Sequence, residues 1–313
     1  MFTQPGKHQY RTTEFSTVVQ VNSNGFVDAE WPQKNKKRTL IIGDSFVQAA
    51  QVPLEDGLGR QLMNVLPEYE ILSIGVPGAG TTTAVELAKR YAVELQADSV
   101  VLGFLLSNDI FNNHALLDTK SDKPYRKLSG DQLEPYRPIN VGNYTVLQES
   151  HLFRWAIRTL KIRQINQSRI SKDGYPATLD VYKMTPSATW KEAWVITEHL
   201  IEELSDWTHQ NGIKLGLFLI PVQQEVDTDT WNNTVSKWPI LKDHSIEQTH
   251  AKALKMMTQI APTCDLFDAF SMQPSTLYFP KDGHWTALGH KRAAEQLAPF
   301  IQRINTSELE MLE

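Results

Sequence analysis

The chain has 313 residues, 41% of them hydrophobic and 21% charged, which is enough apolar side chain to bury a sizeable core. A net charge of −5 supplies no basic field for phosphates and excludes nucleic acid as a partner, and a single cysteine, Cys264, excludes an intrachain disulfide or a cysteine-cluster metal site. No stretch approaches the roughly 20 apolar residues of a membrane span, and the opening MFTQPGKHQYRTTEF lacks the apolar segment of a signal peptide.

In chain order, residues 1–36 form a polar arm. Val19 and Val21 alternate with polar residues and lead to Asn24-Gly25 before Phe26, the pattern of a strand and a tight hairpin, so the arm is expected as a flap on the main domain. From Arg38 the texture changes. Leu40-Ile41-Ile42 is a short apolar run ending in Gly43, as a strand buried on both faces of a parallel sheet requires. Similar runs follow at 71–74, 100–105 and 215–220, with a shorter one at Leu266-Phe267. Helical patterns lie between them at 58–66, 81–95 (Val85, Ala88, Ala92 and Leu95 on one face), 190–207 and 287–304.

Strands alternating with helices predict an α/β fold with a doubly wound parallel sheet, whose ligands bind beyond the strands' carboxyl ends. Between 110 and 185 the rhythm breaks into a polar, Pro- and Lys-bearing stretch with one helical piece at 152–165. It is too long for an ordinary connection and is expected as an insertion over the site, where it would govern substrate choice. The expected organisation is therefore an arm (1–36), one domain (37–304) carrying the insertion 110–185, and a C-terminal tail (305–313). Cys264 is expected as a buried packing residue.

Gly43-Asp44-Ser45 comes directly after the first buried strand, which projects the Ser45 hydroxyl at a carboxyl end. A serine hydroxyl is a weak nucleophile until a base takes its proton, so a histidine must reach the same rim; alone, the tripeptide reads equally as a turn. Asp282-Gly283-His284-Trp285, just before the last helix, supplies that histidine. A carboxylate two residues before an imidazole, bent by glycine, can accept from one ring nitrogen and fix the tautomer whose other nitrogen faces the serine. His199, His209 and His290 fall within or at the end of predicted helices and are read as surface or packing residues.

Acyl transfer also needs donors for the oxygen that becomes negative. Two segments offer them: the glycine-rich 73–80 after the second strand, and Ser107-Asn108-Asp109 after the third, where Asn108 could also be a cap. Gly75 to Thr82 nearly spells a phosphate-binding loop, but Thr81 stands where its lysine would be.

These four blocks, in this order, resemble those of the SGNH/GDSL hydrolases. The resemblance covers roughly 37–110 and 210–304 and implies a flavodoxin-like three-layer α/β/α fold with no metal or organic cofactor. It implies Ser45 as nucleophile, His284 as base and Asp282 as its acid. For the oxyanion hole it implies the Ser45 amide, Gly78 (with Gly75 as a second candidate) and Asn108. One departure stands out: the family usually places the acid three residues before the histidine, where this chain has Lys281, whereas related polysaccharide O-acetylation proteins use Asp-x-His-Trp. The expected activity is hydrolysis of short acyl, especially acetyl, esters of carbohydrates. Alternatives are a polysaccharide O-acetyltransferase, a lipase or thioesterase, or a non-catalytic glycan-binding protein. Eight tryptophans could serve sugar stacking, although Trp190 and Trp194 have core spacing. The segment 22–26 resembles the stretch just after the membrane anchor in some bacterial extracytoplasmic members, which implies a secreted or periplasmic home, with a cytoplasmic one as the alternative.

Overall fold

The computed structural model describes residues 3–118, 123–136 and 170–306; the helix expected at 152–165 lies outside them. The arm forms an antiparallel hairpin of β1 (Gly6–Arg11) and β2 (Ser16–Val21), with Arg11 opposite Ser16. The expected tight turn comes next: Val21 bridges Val27, Gly25 takes φ +85°, and Asn22 Oδ1 accepts from the N–H groups of Asn24 and Phe26. Several contacts fasten the arm. Val19 and Val21 pack with Val27 and Ala50, and buried Asp28 accepts from Ser73 N at 3.0 Å and Trp31 Nε1 at 3.1 Å.

The central sheet holds β3 (Lys37–Gly43), β4 (Tyr69–Gly75), β5 (Ser99–Leu105), β8 (Lys214–Ile220) and β9 (Thr263–Asp265). All pairs are parallel and the order is β4-β3-β5-β8-β9, so the chain starts mid-sheet, steps one way to β4, then crosses back to β5. This is the 2-1-3-4-5 order of flavodoxin-like folds, and its switch point lies between β3 and β5. A second hairpin, β6 (Tyr125–Ser129) with β7 (Gln132–Tyr136), stands apart in the insertion.

Strand alternation divides the core in two. Leu40, Ile42, Leu72, Ile74, Val100 and Leu102 face one side. There they meet α3 (Thr81–Glu94), α4 (Leu106–Asn113), α5 (Ala188–Gln210) and α8 (Ile246–Ile260), after the short α1 (Ser45–Gln48) and α2 (Leu58–Val65). Ile41, Ile71, Val101, Phe218 and Ile220 face the other side, against α2, α9 (Phe267–Ser271), α10 (Pro274–Leu277) and α11 (Ala287–Thr306). Between β8 and α8 lie α6 (Gln223–Val226) and α7 (Thr228–Lys237). Leu40, Ile41 and Ile42 are fully buried, each worth about 1.5–3 kcal/mol over exposure, which is why β3 reads as an unbroken apolar run.

Three local expectations are corrected. The last strand is Thr263–Asp265, not Leu266-Phe267: it is a three-residue edge strand of part-buried residues, while Leu266 and Phe267 are apolar because they turn under the sheet into α9. Cys264 is half-buried on that strand, its thiol pushed up to about 11 chiefly by desolvation. Helix α11 runs to Thr306, two residues into the expected tail. Among the described residues, no helix is long and apolar enough to cross a membrane.

Candidate active site

Because β3, β4 and β5 are adjacent and parallel, the segments after them share one rim. Ser45 begins α1 immediately after β3, with Asp44 as N-cap. The Asp44 carboxylate accepts from Phe46 N at 2.9 Å, which sets the serine at a sharp strand-to-helix turn. Gly75 ends β4, where a methyl group would stand 2.1 Å from Gln48 N; glycine there lets α1 lie directly on the strand. Gly78 sits three residues beyond, in a turn with φ +65°, a conformation other residues rarely adopt. Asn108 is half-buried in the first turn of α4, after β5.

The histidine arrives from the far end of the sequence. Tyr278 bridges Trp285, Phe279 N donates to His284 O at 2.9 Å and Gly283 N donates to Phe279 O at 2.8 Å, so residues 279–284 form a closed loop that turns at Gly283 (φ +82°). This loop brings three side chains into line. His284 Nε2 lies 2.8 Å from Ser45 Oγ, across 239 residues of sequence, and His284 Nδ1 lies 2.6 Å from Asp282 Oδ1. The imidazole is 23% and the carboxylate 20% exposed, so the line opens to one side. Phe46 packs on the ring at 4.9 Å between centroids, and buried Trp285 lies edge-on to Phe46. The hydrogen bond to His284 holds the Asp282 carboxyl below its ordinary range, against partial desolvation. The carboxylate is therefore charged where the ring would need a counter-ion.

Two buried carboxyls under this line had no role assigned from sequence. Asp44 supports the Ser45 turn, and Asp109 Oδ2 accepts from Leu105 N at 2.9 Å, tying the turn that carries Asn108. Burial raises both above the ordinary carboxyl range, and for Asp109 the charge of Asp44 adds to it. Their sequence signal was position: an acid beside each reactive residue at a strand-to-helix junction, of which Asp44 is also the helix N-cap. The glycine loop's far end is packed rather than open, since Asn113 Nδ2 donates to Thr81 Oγ1 at 2.9 Å. His290 is buried beside Trp285 with its pKa down at about 3, a packing residue as expected. Among the described residues, no group of three or more His, Cys, Asp or Glu side chains could hold a metal ion.

No protein-family model matches the sequence, and no curated protein does. Among solved structures the chain is similar to the lipase/acylhydrolase from Enterococcus faecalis, with 12% identity, 85% of this chain and 96% of that one covered, and a TM-score of 0.44. It is also similar to a GDSL-like lipase from Bacteroides thetaiotaomicron VPI-5482 (11%; 87% and 92%; 0.42) and to an acetyl xylan esterase, AlAXEase (13%; 84% and 99%; 0.43). The chain's own parallel sheet, in the order β4-β3-β5-β8-β9, carries the fold: it is the three-layer α/β/α arrangement that the resemblance implies.

Proposed function

We propose that the chain hydrolyses carboxylic esters through an acyl-serine formed on Ser45. The observation that carries this reading is the unbroken line Asp282–His284–Ser45, with contacts of 2.6 and 2.8 Å. In the first step Ser45 Oγ attacks the ester carbonyl while His284 Nε2 takes its proton, and Asp282 holds the ring and balances its charge. The Ser45 and Gly78 N–H groups and the Asn108 side-chain amide stabilise the oxyanion. Collapse expels the alcohol, which receives the proton from His284. Water, deprotonated by the same nitrogen, then releases the acid and restores Ser45. Gly78 is the second backbone donor rather than Gly75, whose glycine is already explained by the seating of α1.

The substrate is a short acyl ester, such as acetate, on a hydroxyl-rich carbohydrate. A cleft of about 440 Å³ supports this clause; it lies beyond the carboxyl ends of β8 and β9, with Gln224, Trp231, Ser245, Glu247 and Phe267 among its lining. Trp231, part-exposed beside these polar groups, is suited to a sugar ring. Tyr182, near the insertion's end, connects the cleft to the oxyanion turn: its hydroxyl donates to Glu225 Oε1, and Ser107, next to Asn108, lies in reach. In domain terms, the arm 1–36 and the insertion 110–185 are accessories of one catalytic domain, 37–304, and the insertion helps to choose the substrate.

The test is acetate release from p-nitrophenyl acetate and from acetylated xylo-oligosaccharides. Ser45→Ala should abolish both while leaving the protein folded, and Trp231→Ala should raise KM about tenfold for the oligosaccharide only. Undiminished turnover by Ser45→Ala rejects the mechanism. Equal Trp231→Ala effects on both substrates reject the carbohydrate clause. If acetate moves to an added sugar instead of to water, the same acyl-serine serves an O-acetyltransferase.

A further inference from the structure

The arm reaches the catalytic loop through two neighbouring side chains, Glu14 and Phe15. Between β1 and β2, Thr12 Oγ1 accepts from the N–H groups of Glu14 and Phe15 at 3.1 and 3.2 Å, while Thr12 N donates to Phe15 O. This small hydrogen-bonded turn points Glu14 across to residues 281–282. There Lys281 N donates to Glu14 Oε1 and Oε2 at 2.9 and 3.1 Å, and Asp282 N donates to Oε2 at 2.7 Å. Beside it, Phe15 packs on Phe279 with ring centroids 5.1 Å apart and on Tyr10 at the same distance. The loop is thus gripped at its entry by an aromatic ring and at its acid by a carboxylate, both from residues 12–15.

We infer that Glu14 is a positioning residue for the catalytic acid, and that the amino-terminal hairpin is part of the active-site scaffold. The inference rests on the reading of Asp282 and His284 as acid and base. Asp282 stands only two residues before His284, and the chain between them turns through Gly283 at φ +82°, the most freely rotating residue type. Within the loop, the hydrogen bonds of Phe279 N and Gly283 N close the backbone, whereas the N–H groups of 281 and 282 point outward. Two adjacent N–H donors converging on one carboxylate give a charge-assisted, two-point hold. That hold fixes the peptide from which the Asp282 side chain reaches Nδ1 at 2.6 Å. A supporting group of this kind keeps a reactive constellation within the few tenths of an ångström its chemistry tolerates.

The experiment uses the full chain, with two readouts. In the proton NMR spectrum, the downfield imidazole Hδ1 resonance of the His284–Asp282 hydrogen bond, assigned by its loss in Asp282→Asn, should broaden or vanish in Glu14→Ala. Glu14→Gln, which keeps one carbonyl acceptor, should retain it in weakened form. In turnover of p-nitrophenyl acetate, Glu14→Ala should lower kcat about 10- to 100-fold at unchanged KM. In the Asp282→Asn background the same substitution should cost less than about threefold, because the orientation it protects is already lost. A resonance identical to wild type in Glu14→Ala, or equal losses in both backgrounds, overturns the inference. Should Glu14→Ala not fold, Glu14→Gln carries the same comparisons. The resonance does not depend on turnover, so failure of the esterase reading, seen as full activity of Ser45→Ala, is a separate result.

Discussion

Two of the histidine–aspartate pairs among the described residues, His284–Asp282 and His250–Asp265, lie near the carboxyl edge of the sheet and differ in what the ring meets next. His284, 2.6 Å from Asp282, presents its other nitrogen to Ser45 Oγ at 2.8 Å. His250, 2.8 Å from Asp265 at the end of β9, lies flat on Phe267 with centroids 3.9 Å apart, near the buried carboxyl of Glu225. Both pairs orient an imidazole. Only the first hands a proton acceptor to a hydroxyl beside candidate oxyanion donors. The contrast teaches that an acid-oriented histidine is a common structural unit, and that the group on its far side decides whether it does chemistry.

The most forceful way to break this comparison is to remove each pair in turn. His284→Ala should lower kcat for p-nitrophenyl acetate by about 10⁴-fold or more, and Asp282→Asn by about 10⁴-fold through loss of the tautomer and its counter-charge. His250→Ala and Asp265→Asn should change the same rate by less than about threefold. Comparable losses in the two pairs would erase the distinction, and a loss under tenfold for Asp282→Asn would make the centre a dyad.

A smaller effect, on stability, sharpens the second pair. Desolvation raises Glu225 from its ordinary 4.5 to about 7, with the hydrogen bond from Tyr182 and the charge of His250 opposing. Between those values the folded protein keeps a proton that the unfolded chain releases. The stability linked to Glu225 is therefore complete below pH 4.5 and declines as pH rises through about 7, by roughly 3 kcal/mol in all. Glu225→Gln should remove that decline from a Tm-against-pH profile. A profile of unchanged slope would show that Glu225 titrates as an exposed acid.

The same contrast marks how far sequence reading reaches. The strands β3, β5 and β8 were legible because burial on both faces forces uninterrupted apolar runs, and Ser45 and Asp282-Gly283-His284 were legible because each block is local and sits at a strand or helix boundary. Strand β1, GKHQYR, carries no such run because most of it is exposed, and β9 has three residues, too few for a pattern. Partnerships outside those blocks left no trace. His250 finds Asp265 fifteen residues away, and Glu14 finds Asp282 across 268. The arm reads as a flap from its sequence; that its turn holds the acid's peptide emerges only from folding.

The most direct measurement is labelling with a fluorophosphonate probe, then mass mapping of the modified residue in the wild-type chain, His284→Ala and His250→Ala. One adduct is expected, on Ser45, lost in His284→Ala and retained in His250→Ala. An adduct on another residue, or no adduct on the folded wild-type chain, would contradict it.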